Sequence, residues 1–117
     1  TFSISAWINV DSTGQQRIFG SWESTASKRI AGFGIHTNNK LLLQISSNGS
    51  SNDQLFSNLT IASANTWYHV TAVYNASALT ASIYLNGTLS QTVSGTFPFQ
   101  NPPGNYAIGA FGENGSY

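Results

Sequence analysis

The sequence predicts an all-β fold, an antiparallel sandwich of two sheets, on three observations. Hydrophobic and polar residues alternate in short runs throughout the 117 residues, which is the period of a half-buried strand. Clusters of Gly, Asn, Ser and Pro separate these runs, and such residues form turns. The 3.6-residue periodicity of an amphipathic helix is missing. One-sided sheets must bury their apolar faces on each other, so a sandwich or jelly roll is expected, with a barrel as the alternative.

The first half of the chain contains five predicted strands. The first has an aliphatic face, which includes Ile4, and a mostly polar face, which includes Ser5. Asn38-Asn39 is predicted to form a hairpin turn, because Asn tolerates the positive φ that such turns require. A polar loop over 47–53 precedes the fifth strand. The predicted strands cover residues 2–8, 17–22, 32–37, 40–46 and 54–61.

The second half begins with the clearest element, a strand over 66–75 whose two faces both look at least partly covered. A one-sided strand follows, and Asn86-Gly87 after it is a strong hairpin signal. A proline-stiffened loop covers 97–104. The inward side chains of the one-sided strand are predicted to be Leu79, Ala81, Ile83 and Leu85, and further strands are expected over 88–93 and 106–111.

Composition excludes several classes of function. Charged residues make up 7% of the chain and the net charge is zero, which argues against a nucleic-acid partner because phosphate binding needs clustered Lys and Arg. Cysteine is absent, so disulfides and thiolate sites are excluded. No apolar run reaches the length of a membrane span, so no membrane insertion is expected. A surface of Ser, Thr, Asn and Gln favours an extracellular, cell-surface or virion-surface location, or burial in a larger assembly.

Five segments carry a family resemblance: Phe2-Ser3-Ile4-Ser5-Ala6-Trp7-Ile8, Thr66-Trp67-Tyr68-His69-Val70, Val73-Tyr74, Ile83-Tyr84-Leu85-Asn86-Gly87 and Ile108-Gly109-Ala110. In order and approximate spacing they resemble the concanavalin A-like superfamily, and in particular its laminin-G-like branch. The resemblance implies a jelly roll of two curved sheets, often used to hold sugars, with or without calcium. Members of the branch usually carry one more strand at each end. We therefore expect residues 1–117 to form the core of a single domain in a longer protein, with neighbouring domains or subunits completing the sheet edges.

The titratable residues do not form a catalytic pattern. Glycoside hydrolysis needs two carboxylates held across a cleft, whereas Asp11, Glu23, Asp53 and Glu113 are each isolated in the sequence. The chain is therefore predicted not to be an enzyme. A glycosidase-like domain, with Glu23 and Glu113 brought together by folding, stays as an alternative. His69 lies inside a predicted strand and is expected to pack or hydrogen-bond within the sheet.

Sugar sites combine an aromatic face with amide or carboxylate groups, and several positions offer such groups. Core packing of Trp22 and ordinary turn chemistry of the Asn residues are the competing interpretations. No cofactor is predicted, although Asn52 with Asp53 and Glu113 with Asn114 would supply oxygens to a calcium ion. The predicted ligand-binding residues are Trp22 with Glu23, Asn38 with Asn39, Asn52 with Asp53, and Glu113 with Asn114.

Five Asn-x-Ser/Thr sequons occur, and a chain this rich in Asn, Ser and Thr produces some by chance. Asn48 and Asn75 are the predicted glycosylation sites, because both fall in expected loops. The function predicted from all these observations is a non-catalytic carbohydrate-binding or adhesion module of a larger extracellular protein, with a glycan or cell-surface glycoprotein as partner. A structural unit of an appendage, fibre or coat is the alternative.

Overall fold

The computed structural model describes residues 1–23, 28–94 and 106–109, and only the backbone of Trp22, Glu23 and Lys28. These residues form two antiparallel sheets, so the predicted all-β sandwich is confirmed. The strands are β1 (Phe2–Asn9), β2 (Gln16–Glu23), β3 (Lys28–Ile35), β4 (Lys40–Ile45), β5 (Asp53–Thr60), β6 (Trp67–Asn75), β7 (Thr80–Leu85), β8 (Thr88–Ser94) and β9 (Ala107–Ile108).

The first sheet has four strands in the order β1-β6-β7-β8. Burial alternates along β1 and β6, as the period-two pattern predicts. In the register of these two strands, Ala6 lies opposite Val70 and Trp7 opposite His69. The aliphatic face of β1 therefore points into the sandwich, while the face that carries Trp7 points outward.

The second sheet has five strands in the order β5-β4-β3-β2-β9. Its central strands are buried on both faces: five consecutive residues of β4, from Leu41 to Ile45, are buried. The inward residues of both sheets form one apolar core. Its fully buried large side chains are Tyr74, Phe33, Ile35, Leu41, Leu43, Ile45, Leu55, Ile61, Ile83 and Val70.

Both predicted hairpin turns are confirmed. Asn39 has a φ of 61°, and the His36 amide donates to the Lys40 carbonyl across the turn. Asn86 and Gly87 have φ values of 50° and 77°, the two positive values that define a type I′ turn. These turns fix the registers of β4 on β3 and of β8 on β7.

Three sequence-based expectations need correction. Leu79 was predicted to point inward on a strand, but it lies in the β6–β7 turn with a φ of 49° and is 42% exposed. β3 begins at Lys28, earlier than predicted, because its first residues pair with the end of β2. Trp67 is 62% exposed, so the outer face of β6 is not covered at that position.

Some expected elements fall outside the described residues, namely the loop over 97–104 and the end of the last predicted strand. In the part of the chain that the structure describes, no helix has the length and apolarity needed to cross a membrane.

Candidate functional site

The two long edges of the sandwich differ. At the β5–β8 edge, polar side chains join the sheets: Asn58 Nδ2 donates to Gln91 Oε1 (3.0 Å), and the Leu59 amide donates to Ser90 Oγ (2.9 Å). At the opposite edge, where β1 faces β2, two grooves open instead. A ligand that contacts both sheets would therefore enter at the β1–β2 edge.

One groove, which we call the Trp7 groove, has a volume of about 260 Å³. The second half of β1, including Trp7 and Asn9, lines one side, and Gln16 and Arg17 of β2 line the other. Ile108 of β9 also contributes to the lining. Residues of both sheets thus line the groove, with the inward Ala6 and Ile8 of β1 on one side and Ile18 of β2 on the other.

The β2 side of this groove depends on a close approach between strands. Arg17 lies opposite Gly34 of β3, and a Cβ at position 34 would overlap the Gln16 carbonyl oxygen. Glycine at this position therefore lets Gln16 and Arg17 lie flat on β3. Arg17 Nη1 donates to Gln44 Oε1 over a long 3.5 Å. Partial burial lowers the pKa of the Arg17 guanidinium below its ordinary value, because desolvation disfavours the charged form.

The outer face of β1 and β6 carries an aromatic cluster. Trp7 is 67% exposed, and its ring centroid lies 5.1 Å from that of His69. His69 Nε2 is 2.9 Å from Ser5 Oγ, which lies 3.2 Å from Thr71 Oγ1. The prediction that His69 hydrogen-bonds within the sheet is confirmed. These polar atoms form a hydrogen-bonded row beside the exposed indole.

The second groove, at the other end of the same edge, has a volume of about 530 Å³ and is mainly apolar. Phe2 and Ile4 of β1 line one side, and Phe19 and Ile30 line the other. Tyr106 stacks on Phe19 with a centroid distance of 5.4 Å. Tyr106 is the one ionisable side chain in the described lining of this groove.

The structure does not bring the predicted site residues together. Asn38 and Asn39 lie in the turn before β4, where Asn38 Oδ1 accepts from the Lys40 amide. Asn52 and Asp53 lie beyond the other end of β4, since Asp53 pairs with Ile45. The side chains of Trp22 and Glu23, and all of Glu113 and Asn114, lie outside the described residues. All eight assignments stay predictions.

The two predicted glycosylation sites are both exposed. Asn48 Oδ1 accepts from the amides of Ser50 and Ser51, at 2.8 Å each. Asn75 Oδ1 accepts from the Ser77 amide at 3.0 Å. Each Asn thus closes a local turn at the surface, where a glycan would have room.

Carboxylates and metal ligands are sparse in the described part of the chain. Asp11 precedes β2 at one end of the sandwich, whereas Asp53 begins β5 at the other end. Within residues 1–23, 28–94 and 106–109, no group of three or more His, Asp or Glu side chains is placed to hold a metal. The calcium alternative stays untested.

Sequence analysis did not identify the Trp7 groove. The signal that it overlooked is the position of Trp7 in a strand whose other outward residues are Ser3, Ser5 and Asn9. An aromatic residue at a polar position of an alternating strand is exposed. A contiguous exposed apolar patch indicates a binding surface, and the exposed Trp67 on the neighbouring strand extends the exposed face of Trp7.

Comparisons with known proteins agree with this fold. The Laminin_G_3 family model, described as concanavalin A-like lectin/glucanases superfamily, matches residues 1–117. A search of curated proteins finds no significant match.

Similar solved structures include a bacterial, a leech and a mouse protein. The Ruminococcus gnavus IT-sialidase CBM40 has a TM-score of 0.73 and 15% identity, covering 97% of this chain and 66% of that one. The leech intramolecular trans-sialidase has a TM-score of 0.72 and 20% identity, covering 97% of this chain and 18% of that one. Mouse laminin α1 LG4-5 has a TM-score of 0.69 and 12% identity, covering 93% of this chain and 28% of that one. The chain thus spans less than two thirds of each of these structures.

Identities this low show a shared fold, whereas the family model applies to the sequence itself. Because that model covers the whole chain, the protein belongs to the Laminin_G_3 family of the concanavalin A-like lectin/glucanase superfamily.

Proposed function

We propose that this protein is a carbohydrate-binding module and that sugar binds at the Trp7 groove. The observation that carries the proposal is the exposed indole of Trp7, at the rim of this groove, beside the His69 imidazole and the Ser5 hydroxyl. An indole face packs on the C–H side of a pyranose, while an imidazole and a hydroxyl can hydrogen-bond its hydroxyl or carboxylate groups.

Two similar structures support this choice of ligand. The Ruminococcus gnavus structure is the CBM40 of a sialidase, and the leech enzyme was complexed with 2,7-anhydro-Neu5Ac by soaking with 3′-sialyllactose. Sialylated glycans carry a carboxylate and several hydroxyls, which the Ser5 hydroxyl and the His69 imidazole beside Trp7 can hydrogen-bond. Sialylated glycans are therefore the first ligands to test.

The wider context is part of the same proposal. We place the module, without catalytic activity of its own, in a larger extracellular protein that adheres to a glycan or a cell-surface glycoprotein. The likeness to a CBM40 over 97% of the chain supports a binding role. The exposed Asn48 and Asn75 suit glycosylation in a secreted chain, and the apolar groove beside Phe2 and Phe19 suits contact with a neighbouring domain.

Replacing Trp7 tests the proposal. We expect the wild type to bind sialylated glycans on a glycan array, and Trp7→Ala to weaken binding of 3′-sialyllactose by about ten-fold or more. A ten-fold loss corresponds to about 1.4 kcal/mol, near the upper end of what an aromatic contact supplies beyond its buried area. Isothermal titration calorimetry measures the change.

Leu89→Ala is the matched control, because Leu89 is also exposed but lies on β8, at the other edge of the same sheet. It should leave the affinity unchanged. Wild-type affinity in Trp7→Ala would show that the sugar does not bind at Trp7. A wild-type protein that binds no glycan on the array would contradict the proposal that it is a carbohydrate-binding module.

A further inference from the structure

We infer that the sugar-binding surface continues from Trp7 onto Trp67, so that the ligand is an oligosaccharide whose second ring packs on Trp67. The inference rests on the proposed function and specifies its ligand class. Such binding requires that the two indoles lie at a suitable separation, that the backbone beneath them is rigid, and that polar groups lie beside them.

The register of β1 and β6 supplies the separation. Trp7 lies opposite His69 and Asn9 lies opposite Trp67, so the two tryptophans occupy diagonal positions on neighbouring strands. Diagonal positions in an antiparallel pair are about 7–8 Å apart, within reach of large aromatic side chains. Both indoles lie on the outer face, at 67% and 62% exposure. Two adjacent rings of one oligosaccharide can therefore each meet one indole.

The backbone beneath Trp67 is fixed on both sides. Before it, the Asn65 amide donates to the Val10 carbonyl (2.6 Å). After it, the His69 amide donates to Asn86 Oδ1 (2.9 Å) and the His69 carbonyl accepts from the Asn86 amide (2.7 Å). A platform held this way loses little conformational entropy when a ligand binds.

The groups around the two indoles match a sugar better than an apolar partner. The Asn9 side chain is exposed opposite Trp67, and the His69 imidazole and Ser5 hydroxyl lie beside Trp7. A pyranose offers an apolar C–H face and a rim of hydroxyls, so it needs an alternation of aromatic and polar groups. A protein or lipid partner would need a continuous apolar patch, which these polar side chains interrupt.

The test compares a trisaccharide with its two parts. 3′-Sialyllactose, N-acetylneuraminic acid and lactose are titrated calorimetrically into the wild type, Trp67→Ala and Trp67→Tyr. We expect the wild type to bind 3′-sialyllactose at least about ten-fold more tightly than either part. Trp67→Ala should lower the trisaccharide affinity to that of the better-bound part without changing the affinity for that part. Trp67→Tyr, which keeps an aromatic face, should retain most of the advantage.

Several outcomes would overturn the inference. Trp67→Ala with wild-type affinity for the trisaccharide would confine binding to Trp7 and leave the proposed function standing. An equal loss for the trisaccharide and its parts would mean that Trp67 does not hold a second ring, which also overturns the inference. A wild type that binds none of the three sugars overturns the inference, and a blank glycan array then overturns the proposed function too. Should Trp67→Ala unfold, Trp67→Gln carries the same prediction, because it removes the aromatic face and keeps a long side chain.

Discussion

At the scale of single residues, Ser57 shows how a polar side chain can be required in the core. The pairing of β4 and β5 shifts register between Lys40 and Leu42, so the strand geometry is interrupted at Leu41. The fully buried Ser57 hydroxyl accepts from the Leu41 amide (2.9 Å) and donates to the Leu59 carbonyl. One hydroxyl therefore satisfies two backbone groups at an irregular position of the ladder.

Replacing this serine should be costly despite its small size. We expect Ser57→Ala to lower the free energy of unfolding by about 1–3 kcal/mol, because a buried backbone group is left without its hydrogen bond. Urea unfolding followed by circular dichroism measures the loss. Ser94→Ala, at an exposed position of β8, should stay within about 0.5 kcal/mol of the wild type. Equal effects of the two changes would contradict the role given to Ser57.

At the scale of elements, the Asn86-Gly87 turn both closes a hairpin and supports β6. Its positive φ values set the pairing of β7 with β8. The Asn86 side chain also bonds the backbone of His69, just beyond the last β6–β7 ladder pair at Val70 and Leu85. The turn therefore links three strands of the first sheet and fixes the backbone beneath the aromatic cluster.

Two substitutions separate these roles. Asn86→Gly keeps the positive φ but removes the acceptor for the His69 amide, so we expect a loss of about 1 kcal/mol and faster hydrogen exchange at His69. Gly87→Ala has open space around the new Cβ but must hold a φ of 77°, and should cost about 1 kcal/mol or more without selective exchange at His69. Hydrogen exchange and urea unfolding measure both. Unchanged exchange at His69 in Asn86→Gly would contradict the link to β6.

Strands of the first sheet could be predicted from the sequence because burial along β1, β6 and β7 follows a period of two. The burial pattern of β1 repeats the alternation of Ile4 and Ala6 with Ser3 and Ser5. The error at Leu79 has a physical cause: the alternation continues into the turn, and nothing in the residue type signals a positive φ there. The turns at Asn39 and Asn86 were predictable since Asn favours that conformation.

At the scale of the molecule, the candidate site arises from the stacking of two sheets. The Trp7 groove is lined by residues of both sheets because β1 and β2 lie at the same edge of the sandwich. Local patterns predict which face a residue occupies, but not which strands of the two layers lie opposite. For that reason sequence analysis selected residues such as Asn38 and Asp53, which the structure places at opposite ends of β4.

The same stacking determines how the whole molecule should respond to salt. Only 7% of the residues are charged and the net charge is zero, so apolar burial, rather than long-range electrostatics, should determine the stability. Between about 0.02 M and about 0.5 M NaCl we expect the Tm to change by less than about 4 °C, equivalent to about 1 kcal/mol. Sodium sulfate at equal ionic strength should raise the Tm, since it strengthens apolar burial. Differential scanning calorimetry measures both Tm changes and so separates apolar burial from electrostatic attraction. A Tm that falls steeply in NaCl would show that charge pairs, which salt screens, stabilise the fold more than the packed sheets do.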